Sequence, residues 1–229
     1  MKFRGAALIG VEEVEPGSYV VLGRAMPLSR KDIRELAAIH AAAERRSRLI
    51  LDDGEFIEFL GLRDHLKQLA DLYGDPSFLL QPWLIQKPIG PHHVSCDKAM
   101  GRLKNPNAAV FETEFGIGTD GEFARKPPQD RQSIIVTVPF EEADELVAAM
   151  SSGTFLFSSA ALFSSSPPDP NQIASALAKA PNLATFQSAL LAAFPTIYAY
   201  NVNEDEFRIM SRDRDFVDNV TAAIGRSTL

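Results

Sequence analysis

The residues best suited to chemistry lie together in Pro91-His92-His93-Val94-Ser95-Cys96-Asp97, which holds two of the four histidines and the only cysteine. Imidazole and thiolate are metal ligands, and His92 with Cys96 would meet one ion if the loop curled. No third or fourth ligand stands beside them. Asp52, Asp53 or Asp97 would complete a set of carboxylates with cysteine that is uncommon for structural zinc, so neither a metal nor a cofactor is expected. A catalytic arrangement is more coherent. With Ser95 capping a helix from Cys96, the helix dipole would favour the thiolate, and His92 or His93 would serve as its base. Asp97 opposes that effect, no third member of a triad can be assigned, and a small buried cysteine is the plainer account.

Gly116-Ile117-Gly118-Thr119-Asp120-Gly121 matches the glycine pattern of a dinucleotide fingerprint, and Ala109 to Phe115 reads as a strand before it. Phosphate binding also needs a helix whose amino-terminal N–H groups face the anion. Only five residues separate Gly121 from Pro127-Pro128, so the glycines read as a hairpin or loop. His40 and His65 fall on or beside apolar helical faces and read as hydrogen-bonded boundary residues. Trp83, between Pro82 and Leu84, reads as partly buried core.

Charge is distributed unevenly. Ser133 to Phe207 contains eight acidic residues and one basic residue, Lys179, so the whole net charge of −7 lies in that stretch. Two acidic clusters stand out there: Glu141, Glu142, Asp144 and Glu145, and then Glu204, Asp205 and Glu206. The first opens a helix toward Met150, where the helix dipole already accounts for acids in a first turn. Together the clusters point to a protein partner with a basic surface. Arg30 to Arg48 mixes Asp32, Glu35 and Glu44 with its basic residues, which fits a solvated helix better than a phosphate track; no nucleic acid is expected. Leu146 to Asn203 has only Asp169 and Lys179 as charged residues, so it either fills the core or covers a subunit or partner interface, as in a homo-oligomer. The uncharged run Leu146 to Pro168 is long enough to span a bilayer, but its seven serines argue against insertion. One cysteine and no secretion signal place the expected location in the cytoplasm.

The elements that must position these residues follow from turn and cap signals. Gly5 to Val11 and Ser18 to Arg24, joined by Glu15-Pro16-Gly17, form a hairpin. Ser29 with Asp32 caps a helix that ends near Arg46. Leu49 to Leu51 and Phe56 to Phe59 flank Asp52-Asp53-Gly54 as a second hairpin, and a helix follows to Gly74. Asn182 caps a helix stopped by Pro195; Thr196 to Tyr200 and Phe207 to Met210 are strands; Phe216 to Ile224 is a helix ended by Gly225. Sliding Gly54 to Gly74 onto Asp205 to Gly225 leaves five identities, including Arg63 with Arg214 and Asp64 with Asp215.

The expected fold is therefore α+β, a mostly antiparallel sheet with packed helices, in two pseudo-repeated halves (1–130 and 131–229), each with a helix, hairpin, helix unit. Two functions stay open. One is a non-catalytic protein-interaction or regulatory protein; the other is a small hydrolase or transferase using Cys96 with His92 or His93.

Overall fold

The computed structural model describes residues 1–41, 53–74, 76–81, 107–118, 121–144, 158–166, 168–201 and 204–225. Its strands are β1 (Ala6–Glu15), β2 (Ser18–Ala25), β3 (Ser77–Gln81), β4 (Asn107–Glu112), β5 (Phe115–Ile117), β6 (Phe123–Arg125), β7 (Gln132–Thr137), β8 (Ser158–Phe163), β9 (Thr196–Asn201) and β10 (Glu206–Ser211). Its helices are α1 (Arg30–Ile39), α2 (Asp53–Tyr73), α3 (Pro170–Ala178), α4 (Leu183–Ala193) and α5 (Arg214–Gly225). Eight strands form one sheet in the order β1-β2-β10-β9-β8-β3-β7-β4, with every pairing antiparallel. The α+β class is thus correct.

Both faces of the central strands are covered, and strand alternation sorts the side chains between them. Ala161, Phe163, Tyr198, Phe207 and Ile209 face α1, α2 and α5, packing against Leu36, Leu60, Leu66, Leu69, Val217 and Val220. Their neighbours Ala160, Leu162, Ile197, Ala199 and Met210 face α3, α4 and the β5–β6 hairpin, against Ile173, Leu177, Phe186 and Leu190. Gly23 lies opposite Phe207, and a Cβ there would come within 2.2 Å of the Phe207 ring. Only glycine lets that ring lie across β2.

Local signals explain most boundaries. Gly17 takes φ +75° in the first turn, and the Ser29 hydroxyl accepts from Asp32 N as the cap of α1. The Asn182 side chain accepts from Thr185 N and caps α4. The glycine-rich segment is a hairpin, as its spacing to Pro127 requires: β5 pairs with β6, and Gly121 turns at φ +77°. α1 is shorter than expected. It stops at Ile39, with His40 as its C-cap.

Phe56 to Phe59, expected as the second strand of a hairpin, is helical, while Leu49 to Leu51 lies outside the described residues. Residues 53–73 make one helix of 21 residues, so Asp53-Gly54 opens α2 instead of reversing the chain. The apolar spacing of Phe56, Phe59 and Leu60 continues that of Leu66, Leu69 and Ala70, and Asp53 and Glu55 suit a helix amino terminus. This removes the helix–hairpin–helix repeat, because Gly54 to Tyr73 is helical throughout while the matched segment is strand β10 followed by α5. The matched identities also lie in opposite surroundings. Arg63 and Asp64 are buried, whereas Arg214 and Asp215 are exposed. Strands from before and after residue 130 alternate in the sheet, with β10 beside β2 and β3 between β8 and β7.

The described part of the charge-poor stretch fills the core. β8 and β9 sit in the middle of the sheet, and α3 and α4, which carry no charged residue, bury Ile173, Leu177, Phe186 and Leu190 against it. Ser158 to Phe163, from the run long enough to span a bilayer, is a strand. No helix among the described residues is long and apolar enough to cross a membrane.

Candidate functional site

His92, His93, Ser95, Cys96, Asp97 and Trp83 lie outside the described residues, as does Glu145. Among the described residues there is no group of three metal-ligating side chains. The acidic clusters divide. Glu141 belongs to the short turn Phe140–Glu142, Glu142 is exposed, and Asp144 points inward at 2% exposure. Asp144 is therefore not part of an acidic surface: Arg63 on α2 is buried with it and needs a counter-charge. In the β9–β10 turn, Glu204 and Asp205 are exposed, while half-buried Glu206 pairs with Arg24 at 2.8 Å.

Burial of Arg63 and Asp64 organises a polar knot beneath α1 and α2. Arg63 donates from Nε to Asp144 Oδ1 at 2.7 Å and from Nη1 to His40 Nδ1 at 2.5 Å, and its guanidinium lies 4.8 Å over the Phe140 ring. Since Nδ1 of His40 accepts, the neutral ring carries its proton on Nε2, which faces Asp64 Oδ1 at 3.7 Å. Asp64 also pairs with Arg4 at 3.3 Å and accepts from Gln68 at 3.1 Å. Burial raises the Asp64 carboxyl, but His40, the Arg4 guanidinium and His65 outweigh it and hold the group below the ordinary carboxylate value. Arg4 reaches Glu35 at 3.4 Å as well, tying the amino-terminal segment to α1 and α2.

His65, the residue after Asp64 on α2, closes a cavity. Its Nε2–H donates to the Arg4 carbonyl at 2.9 Å, so Nδ1 is free to accept the Tyr198 hydroxyl at 3.3 Å. Phe3, Phe207 and Tyr198 surround the ring at centroid distances of 5.0, 5.4 and 6.2 Å. Burial lowers the His65 imidazole below its usual value and pushes the Tyr198 phenol well above its own, so both are neutral. The cavity holds about 300 Å³ between Met26, Pro27, Leu28, Leu62, Tyr200 and Asp205, with His65 and Tyr198 also in its wall. Both His65 nitrogens are committed to protein groups, so the wall supplies shape and hydrogen-bond acceptors in place of a free base.

A third feature is the edge. Among the described strands β1 pairs with β2 alone, so the other row of its N–H and C=O groups has no partner among them. Leu8, Ile9, Val11 and Val14 are 37%, 51%, 38% and 50% exposed on it. Glu12 and Glu13 are exposed beside them, and the strand carries no basic residue. Register shifts at Leu8/Gly10 and Glu13/Glu15 bend the strand.

On the opposite face, Lys126 is buried at the root of the β5–β6 hairpin and donates to Ser133 Oγ at 2.7 Å and the Gln132 carbonyl at 3.2 Å. Burial lowers its ammonium to about 8, against the pull of Asp130.

The edge residues and the cavity are absent from the sequence-based expectations. The β1 signal was present: apolar residues from Ala6 to Val11 break the alternation expected of a strand with one covered face. The His65–Tyr198 contact, spanning 133 positions, had no local signal. Comparison of the chain with protein-family models, with curated proteins and with solved structures finds no match.

Proposed function

We propose that this chain is a non-catalytic interaction protein whose β1 edge receives an extended, basic segment of another protein. The observation that carries the reading is an edge strand of ten residues with four half-exposed apolar side chains and three glutamates. Strand addition draws affinity from backbone hydrogen bonds and specificity from alternate side chains. An incoming strand alternating apolar with Lys or Arg residues would cover Leu8, Ile9, Val11 and Val14 and meet Glu12, Glu13 and Glu15. The exposed Glu204-Asp205 turn, whose Asp205 carbonyl accepts from Ala25 N at 2.5 Å, adds negative charge near the other end of β2. A second copy of β1 is a poorer occupant. It would bring six glutamates to one joint, and the two bulges interrupt a continuous self-pairing.

The test is a titration of isotope-labelled protein with a blocked peptide, Lys-Val-Lys-Val-Lys-Val-Lys, and with its glutamate counterpart. Amide shifts confined to β1 and its neighbours, for the lysine peptide only and weakening as salt rises from about 50 to about 500 mM, support the reading. Equal response to both peptides, or none at β1, overturns it. Sedimentation across micromolar concentrations decides the second-copy alternative, which requires dimerisation abolished by charge on β1.

A further inference from the structure

Independently of β1, we infer that the cavity between α2, the segment Ala25 to Leu28 and the β9–β10 turn binds a small ammonium ligand, a protonated amine on an aromatic or branched aliphatic body. At about 300 Å³ the cavity is at the small end of the range for ligand sites, so the occupant is fragment-sized. Met26, Pro27, Leu28 and Leu62 offer an apolar wall for the body.

Gly61 keeps that space open. It lies within α2, where glycine is a poor helix former, yet a Cβ there would meet nothing nearer than Leu28 Cδ1 at 3.8 Å. A Cβ there has room, and because Gly61 lines the cavity a larger side chain at this position would compete with the ligand for its space.

The electrostatics select the sign of the ligand. Among the described residues of the wall Asp205 is the one ionised side chain, because His65 is fixed as the neutral ring by the Arg4 carbonyl and the Tyr198 hydroxyl. No ion pair or hydrogen bond among the described residues occupies the Asp205 carboxylate, whose backbone is held at φ 53° by the Ala25 N–H. Asp205 is exposed, so an ammonium placed against it keeps part of its hydration while the body enters the cavity. Tyr200 adds an aromatic ring to the same wall, which favours a cation. A carboxylate ligand would meet Asp205 with no basic residue among the described residues of the wall to offset it.

The experiment uses the full chain and three probes of one shape: phenethylamine, phenethyl alcohol and phenylacetate. Binding is read at pH 7 from saturable amide shifts at Gly61 and Leu62. The expected order is amine tighter than alcohol by about tenfold, and phenylacetate weaker than alcohol. Asp205→Asn, which suits the left-handed backbone at least as well, is expected to bring the amine within about twofold of the alcohol. Gly61→Leu is expected to remove binding of both by at least about tenfold, with the thermal transition retained. Phenylacetate binding as tightly as the amine, an amine preference that survives Asp205→Asn, or no saturable shift with any probe up to about 10 mM overturns the inference.

Discussion

The centre of the sheet and its β1 edge are both apolar, and only the centre is covered. Ala161, Leu162, Phe163, Ile197 and Tyr198 are at 0% exposure between two helical layers. Ile9 and Val14 on β1 stand half in water. The central strands lie in a stretch nearly free of charge, whereas β1 interleaves its apolar residues with Glu12, Glu13 and Glu15. Lack of charge over a long stretch therefore marks interior here. Apolar side chains mixed with like charges on an edge strand mark a surface that is soluble alone and has an energetic reason to be covered.

The largest expected effects fall at the centre. Phe186→Ala removes a fully buried ring that packs against Phe115 and Phe123 at 6.1 and 6.3 Å, and it should cost about 3–5 kcal/mol in denaturant unfolding. Asp144→Asn leaves the Arg63 guanidinium buried without its carboxylate and should cost a similar about 3–5 kcal/mol. Replacing both partners, Arg63→Met with Asp144→Leu, should recover much of that loss. A cost below about 1 kcal/mol for Phe186→Ala would break the contrast between covered centre and open edge.

Acid should act through the buried groups next. His65 binds its proton less readily folded than unfolded, so its contribution to stability is full above the unfolded value of 6.5 and is lost as pH falls from there to its lowered folded value. The slope is at most about 1.4 kcal/mol per pH unit, and His65→Gln should flatten it in unfolding curves taken from pH 7 downward. Asp64, also lowered, gives stability that is present above 3.8 and lost as pH falls through its folded value, in a separate and more acidic window. Lys126 acts at the other end of the scale. Its ammonium is lowered to about 8 from 10.5, so stability should rise with pH between those values, and Lys126→Met should abolish the rise.

Elements bounded by a cap or a turn residue were legible in the sequence, because such signals act within four residues. Ser29, Asn182, Gly17 and Pro195 each mark a boundary found in the fold. Where two local preferences competed, the longer-range one prevailed: Asp-Gly favours a tight turn, but six turns of continuous helical periodicity absorbed Asp53-Gly54. The candidate site was largely illegible for a topological reason. β1 is an edge because no described strand pairs with its outer side, and Tyr198 reaches His65 only through the order of strands in the sheet.

The smallest effects on stability are expected at β1. Ile9→Thr and Val11→Thr keep β-branched side chains on a half-exposed strand and should shift stability by no more than about 0.5 kcal/mol, while weakening the lysine–valine peptide severalfold. Loss of stability comparable to Phe186→Ala would mean that β1 is covered within the chain itself.

The most direct measurement is the same peptide pair titrated into the Glu12→Lys/Glu13→Lys protein. If β1 receives a basic strand by charge and backbone pairing, the preference should reverse, with the glutamate peptide shifting β1 amides and the lysine peptide losing its effect. An unchanged preference for the lysine peptide, with the double variant folded, would contradict docking at this edge.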